Sequence, residues 1–473
     1  MNLWQHAPGM THAPATAGPR HGLVAYLRAE RVPVWHQVAL LAVLLGVAIS
    51  RSPYPLFHGR FFAEEGSIYY PHMRDDSIWF VAKSVGYIYG FLNGATWLAA
   101  RVPIEHAPLV TAWLSLALVV VVAWAALSLP SLLLPNAGAR LAAAVLLVVG
   151  PVAVPAVWIN ATNAQVYLGV LAVLFVFLDV PRLAAWQYGA VVALLALAGL
   201  SGLYAVVLAP LFVALAFRER AARRITLAVV TCACAIAQFL VIAGSHASGD
   251  LAQGRGSFCG LGAVTRDVAA WHVGSFLLGN SVANDLYRFA DNLFGIAAIG
   301  LLAFLVGVVL AFALTAVPRR QVAVLLGLVF VLEEILVLFG TRKGAGGRYA
   351  VVPVAVLVLA AVHVMTTARN RAAIGVGATL CAITFVAGLG SFWTSQPSTL
   401  RCNDCPVWHD QVRAWQAGRT NFLRIWPYTG NVRWSVHLPH QQPAAGPTGA
   451  GAEAERPRPV NSPRRGVGGP PLG

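Results

Sequence analysis

Between residues 34 and 392 the chain is a succession of apolar runs separated by short stretches that hold charge, Gly or Pro. The runs lie near 34–50, 106–129, 140–157, 164–179, 186–200, 203–217, 225–243, 292–317, 321–340, 349–367 and 373–392, with ends placed to about four residues. Several approach or exceed the roughly 20 residues that an α-helix needs to cross a hydrocarbon core. The pattern predicts an all-α integral membrane protein with about eleven transmembrane helices. The fifth and sixth runs are short and parted only by Ser201 and Gly202, so one broken helix is the alternative there, and ten or twelve spans bracket the count.

Composition sharpens this reading. Of 473 residues, 58% are hydrophobic and 11% charged, with a mean hydropathy of +0.69. A soluble domain carries about 25% charged residues, so a large soluble core is excluded. The formal net charge of +15 would suggest nucleic acid in a soluble protein. Here the Arg and Lys sit mostly between apolar runs and at the termini, where the positive-inside rule places many of them. No basic patch is interleaved with stacking aromatics, and no nucleic-acid partner is expected. The first run starts past residue 30 and lacks a small-residue cleavage site, so it is expected to be an uncleaved span.

If residues 1–33 are cytoplasmic, alternation places Arg218–Arg224, Pro318–Arg320 and Ala368–Arg371 on the same side, as three basic connections should be. Residues 51–105, 245–291 and everything after about 393 then fall outside. The expected division is a partly disordered N-terminal segment (1–33), a multi-spanning domain (34–393) and a small outer segment (394–438). A disordered Pro/Gly-rich tail (439–473) closes the chain. The localisation implied is a bacterial inner (plasma) membrane, with the N-terminus inside and the C-terminus outside.

The sharpest constellation is Arg60-Phe-Phe-Ala-Glu64-Glu65-Gly66, just after the first span. Neighbouring glutamates on one element diverge, so one can serve a site while the other is structural. The pair can act as general base, bind a cation, or simply pair with Arg60 and Arg74. Asn160, Asn163 and Gln165 lie in a short outer turn, where amides cap helices or hydrogen-bond a sugar. Glu333 and Glu334 lie inside the ninth run, where a carboxylate is costly and faces protein; a structural ion pair and a substrate or proton role are both open. Trp79, Trp97, Trp158 and Tyr167 are expected as interfacial aromatics.

The segment Arg60–Gly66, with Gly86-Tyr-Ile-Tyr-Gly-Phe-Leu-Asn-Gly94 and Pro103-Ile-Glu-His-Ala-Pro108-Leu-Val, resembles bacterial GT-C-type membrane glycosyltransferases. Asn160-Ala-Thr-Asn-Ala-Gln165, Gly199-Leu-Ser-Gly-Leu-Tyr204, Pro210-Leu-Phe, Gly347-Arg-Tyr349, Cys405-Pro-Val-Trp408 and Ile425-Trp-Pro427 extend the resemblance over most of residues 50–430. It implies a GT-C-like fold and transfer of a hexose or pentose from a polyprenyl-phosphate donor, drawn from the lipid bilayer. The acceptor would be a surface glycan, lipid or protein. Many GT-C enzymes carry Asp-Asp, Asp-Glu or Glu-Asp where this chain has Glu-Glu, so either Glu64 or Glu65 would be the base. Arg342, Lys343 and Arg348, beside Tyr349, stand outside against the positive-inside expectation and would clamp the donor phosphate, unless they hold lipid headgroups or local acids. Arg60, Asn160, Asn163, Gln165 and Tyr204 would line the substrate. The cofactor is left open: a divalent cation (Mg or Mn) could bridge carboxylate and phosphate, and the spacing does not require one. The rival reading is a transporter or flippase of lipid-linked saccharides, which would rely on Glu333 or Glu334.

Cys232, Cys234 and Cys381 fall in apolar runs and are expected to be inert. Cys402 and Cys405 are expected to form a local disulfide or one to Cys259, with free thiols or zinc beside His409 as alternatives. No Walker A loop or dinucleotide fingerprint occurs in a strand–helix context.

Overall fold

A computed structural model describes residues 22–75, 80, 86–150, 157–247, 260–340, 347–393, 402, 404–429 and 432–438. Each of the eleven apolar runs contains helix, with residues 151–156 of the third run outside the described residues. Among the described residues six helices are long and apolar enough to cross a membrane: Val34–Arg51, Ala107–Ser128, Ala222–Ala247, Leu293–Thr315, Gly347–Thr367 and Arg371–Phe392. Three further apolar helices among them are shorter, Ala137–Val149, Ala161–Val176 and Ala185–Gly199. The sixth run is broken into Tyr204–Val207 and Ala209–Glu219. Pro210, without an N–H, starts the second piece at a first-turn position where it is tolerated. The fifth and sixth runs are separate, because the chain leaves helical geometry at Gly202, whose φ is +138°.

Burial separates core helices from lipid-facing ones. All residues from Val166 to Val176 are buried, so this short helix is surrounded by protein. Gly169 lets the helix approach its neighbours, since a Cβ there would lie 2.8 Å from Tyr204 Cβ and 2.9 Å from Val352. The Leu293–Thr315 helix instead exposes Leu293, Phe294, Phe304 and Phe312, an apolar surface suited to lipid and not to water. A polar group can be satisfied within the bundle by backbone carbonyls and amides, and Gln238 is the clearest case. Buried Gln238 donates to the carbonyls of Ile88 (3.1 Å) and Gly199 (2.9 Å) and accepts from Ile88 N (2.8 Å). It thereby ties the first outer segment to the break near Gly202.

The connections gather at the two ends of this bundle. At one end Glu30 meets Arg182, Leu178 meets Arg224, Arg218 meets Gln321 and Ala316 meets Arg369. At the other, Glu65 meets Thr111 and Ala161, Gly90 meets Leu200, and Trp271 packs on Gly347. Trp158 and Tyr167, expected at the interface, are instead buried. Trp158 belongs to the main apolar core, where it packs edge-on to Phe392 and lies 4.4 Å from the Arg51 guanidinium. Trp97 is exposed, and Trp79 lies outside the described residues.

The three segments expected outside carry more structure than their mixed sequences suggest. The first contains short helices at Tyr54–Phe57, Tyr70–Arg74 and Gly90–Ala99 and a π-helical turn at Glu65–Tyr69. The second folds as Leu261–Arg266, a π-helical Asp267–Gly274 and Ser275–Phe289, bent at Gly279 (φ +82°). The last forms a helix, Trp408–Gln416, and an antiparallel hairpin of β1 (Phe422–Thr429) and β2 (Val432–His437), with a register shift between Arg424 and Tyr428. This C-terminal piece does not stand alone. Trp408, Val412, Leu423 and Ile425 share a core with Phe61, Tyr70 and Ile104 of the first outer segment. Phe62 and Trp426 form a parallel bridge, and Trp426 N donates to Phe61 O at 2.9 Å. Cys402 and Cys405 are joined by a disulfide; Cys232, Cys234 and Cys381 are free, and Cys259 lies outside the described residues.

Arg60 fastens this junction. Its guanidinium donates to Arg424 O and, at 2.7 Å, to Pro406 O, and it lies 5.6 Å from the Trp408 ring. Burial pushes its pKa down to about 10, so it stays charged at neutral pH. Replacing it by Met removes two charge-assisted hydrogen bonds; Arg424 O loses this donor, while Pro406 O keeps Gln411 Nε2 at 3.3 Å. The expected cost is on the order of 2–4 kcal/mol. A lowered unfolding midpoint and faster proteolysis within 402–438 should follow; an unchanged protein would show that the apolar contacts alone hold the hairpin.

Candidate active site

Glu64 and Glu65 sit at the start of the π-helical turn, and the chain reaches them through Ala63 at φ +41°. A non-glycine residue rarely adopts this left-handed conformation, which costs about 1–2 kcal/mol and has to be held by its surroundings. Here Phe62 is held by the Trp426 bridge on one side, and Glu65 is anchored on the other. Ile159, at φ +53°, makes a matching turn before Asn160.

The two glutamates diverge, as adjacent acids on one element must. Glu65 is buried, with 2% of its surface exposed. One carboxyl oxygen accepts from Thr111 Oγ1, and the other accepts from Ala161 N at 3.2 Å. Burial raises its pKa from 4.5 to about 8, and these two hydrogen bonds offset part of that rise. Glu64 is half-buried and lies within electrostatic reach of Arg348. The Glu64 carboxylate and the 3-10 turn Gly347–Ala350 thus lie within electrostatic reach of one another.

Around Arg348 the structure assembles a ring of hydroxyls. Arg348 Nη2 donates to Tyr349 OH at 3.2 Å, and its guanidinium lies 4.9 Å from that ring. Tyr204 lies within electrostatic reach of Tyr349, Glu333, Tyr87 and Arg348. Tyr87 OH donates to Gln165 Oε1 at 3.2 Å. Gln165 in turn fills the space that Gly202 leaves open, where a Cβ would come within 2.3 Å of Oε1. Tyr89 OH donates to Thr162 O and accepts from Gln165 N at 3.3 Å. The tyrosines at 87 and 89 therefore brace the 160–165 turn.

Of the residues singled out in the sequence, Glu64, Arg348, Tyr349, Tyr204 and Gln165 converge on this cluster. Asn160 and Asn163 line its floor beside Ala161, but Asn160 is used as a cap: its Oδ1 accepts from Asn163 N (2.9 Å) and Asn163 Nδ2 (3.1 Å). Arg60 is turned away, into the hairpin junction. Arg342 and Lys343 lie outside the described residues. Glu333 is fully buried, and neither of its carboxyl oxygens has a hydrogen-bond partner among the described residues. Glu334 pairs with buried His272, Oε1 to Nδ1 at 2.6 Å.

Sequence reasoning missed Thr111, Tyr87, Tyr89 and His272. The two tyrosines had a signal, the Gly-bounded Gly86-Tyr-Ile-Tyr-Gly90, whereas Thr111 and His272 had none. Among the described residues no group of three or more His, Cys, Asp or Glu is placed to hold a metal ion. A divalent cation at Glu64 would have to share ligands with a bound phosphate.

No family model matches the chain, and no curated protein matches it. Among solved structures it is similar to the arabinofuranosyltransferase AftD from Mycobacteria, with a TM-score of 0.45 and 14% identity. The likeness covers 84% of this chain and 29% of that one, so the chain spans under a third of that protein's length.

The raised Glu65 pKa predicts a pH dependence of stability. In the unfolded chain the carboxyl releases its proton near 4.5, and in the folded one near 8. Between those values the folded state holds the extra proton, so the stability it contributes is complete below about 4.5 and is lost as pH climbs to about 8. Glu65→Gln should flatten this decline in unfolding midpoint between pH 5 and 8. An identical slope in the variant would mean that Glu65 titrates normally.

Proposed function

We propose that the chain is a GT-C-type membrane glycosyltransferase. It moves a sugar from a polyprenyl-phosphate donor to a hydroxyl of a glycan, lipid or protein acceptor on the extracytoplasmic face. The observation that carries this reading is the electrostatic proximity of Glu64 and Arg348, a half-buried carboxylate within reach of a guanidinium that sits among tyrosine hydroxyls. A base and a phosphate-binding cation near one another, with room for substrate between them, are what glycosyl transfer from a phosphate requires. The acceptor oxygen attacks the anomeric carbon, its proton passes to Glu64, and the bond from that carbon to the phosphate oxygen breaks. Polyprenyl phosphate leaves with the bonding electrons, and Arg348 stabilises the charge gathering on it. Arg342 and Lys343, a few residues before Arg348 in sequence, would add positive charge to the same stretch of chain. A Mg or Mn ion, if used, would be held by Glu64 and would supply positive charge to the leaving phosphate.

Glu65 is the positioning residue in this scheme. Its raised pKa keeps it largely protonated at neutral pH, so it is the poorer base there, and its hydrogen bonds fix the turn that aims Glu64. The orientation follows from charge. The opposite end of the bundle carries Arg182, Arg218, Arg224, Arg319 and Arg369, as a cytoplasmic end should in a bacterial plasma membrane.

One observation favours a second reading. Glu333, buried within a helix and unpartnered among the described residues, is what a transporter or flippase of lipid-linked saccharides would use for proton coupling.

The two readings separate by mutation. Glu64→Gln, inserted normally, should lose at least about a hundredfold in transfer from radiolabelled polyprenyl-phosphate sugars, the lower bound of general-base help. Glu65→Gln should keep most of it. Transfer that survives Glu64→Gln sinks the assignment of the base. Absence of transfer by the wild type, with lipid-linked saccharide movement abolished by Glu333→Gln, would establish the transporter.

A further inference from the structure

At the end of the bundle away from Glu64 lies a cavity of about 910 Å³, bounded by the connections at 178–181, 218–224 and 318–321. We propose that it is a binding site for the phosphate headgroup of an anionic lipid. Four arginines line it: Arg218, Arg224, Arg319 and Arg320. The cavity's two acids are already engaged. Glu219 Oε2 lies 2.9 Å from Arg224 Nε, and Asp179 pairs with Arg182 at 3.2 Å. Arg218, Arg319 and Arg320 are exposed and form no ion pair among the described residues, so they leave the cavity an excess of positive charge.

The floor shows that the site is built. Arg224 is 2% exposed, yet its Nη1 has no hydrogen-bond partner among the described residues. A buried guanidinium N–H left unpaired is costly, and an anionic oxygen is the partner that would relieve it. The walls choose between sources of phosphate. Leu178, Leu215, Val322 and Leu325 give the cavity an apolar side, which a soluble phosphate would leave bare and an acyl chain would cover. Arginines above an apolar wall at a membrane surface match a lipid headgroup with its first methylenes. This site is independent of the reaction proposed for Glu64.

The test uses the full chain purified in a neutral maltoside detergent, with thermal unfolding followed during titration. The probes are dihexanoyl phosphatidylglycerol, dihexanoyl phosphatidylcholine and inorganic phosphate, applied to the wild type and to an Arg319→Gln/Arg320→Gln double variant. Phosphatidylglycerol should raise the midpoint, and its half-saturation should weaken by at least about tenfold in the double variant. Phosphatidylcholine, whose charge is cancelled, should not act this way. If inorganic phosphate gives the same variant-sensitive shift, the anion site stands and its ligand is a soluble phosphate. Half-saturation unchanged in the double variant, or no shift with phosphatidylglycerol or phosphate, overturns the proposal. Should the double variant unfold before titration, Arg218→Gln, a single exposed change in the same cavity, takes its place.

Discussion

One end of this helical bundle depends on a buried carboxyl. Glu65 reaches from the π-helical turn Glu65–Tyr69 to Thr111 on the Ala107–Ser128 helix and to Ala161 at the head of the wholly buried Gln165–Val176 helix. Both partners lie on membrane helices, so one side chain links a polar turn to the apolar bundle. Burying a carboxylate is expensive unless it is neutralised or hydrogen-bonded, and here both occur in part. With Glu65 committed inward, the π-helical turn leaves Glu64 facing the opposite way, toward Arg348. Division of labour between adjacent acids thus follows from desolvation of one of them.

The tyrosines make that division spatially exact enough to matter. Tyr87 and Tyr89 hold Gln165 and Thr162, and Gly169 and Gly202 let Tyr204 and Gln165 come close. The small residues and the large ones act together. Enlarging either glycine would push a hydroxyl-bearing or amide side chain out of the cluster, although neither glycine touches the carboxylates. Backbone strain at Ala63 and Ile159 is held by the same packing, which is how a strained turn persists next to a polar cleft.

The helical framework was legible in the chain because lipid imposes one strong rule, long apolar stretches with internally satisfied backbones. Hydropathy could place runs such as 106–129 and 373–392 within a few residues, but not their depth. The run at 164–179 folds as a short, wholly buried helix, and that at 203–217 breaks before Pro210. The site was readable where polar residues stood out against apolar surroundings, as Glu64, Glu65, Arg348 and Gln165 do. Arg60 misled because its charge is used for carbonyls more than 340 residues away, a pairing that no local pattern encodes. Thr111 and His272 are ordinary residues in ordinary contexts, and their partners become visible only in three dimensions.

The parallel bridge between Phe62 and Trp426 joins the beginning of the polypeptide to its end. The ribosome makes Phe62 hundreds of residues before Trp426, so the acidic turn gains this support only after the helices between them have been made. A chain cut ahead of Trp426 would keep Glu64 and Glu65 and lose the bridge that holds the residue next to their strained approach.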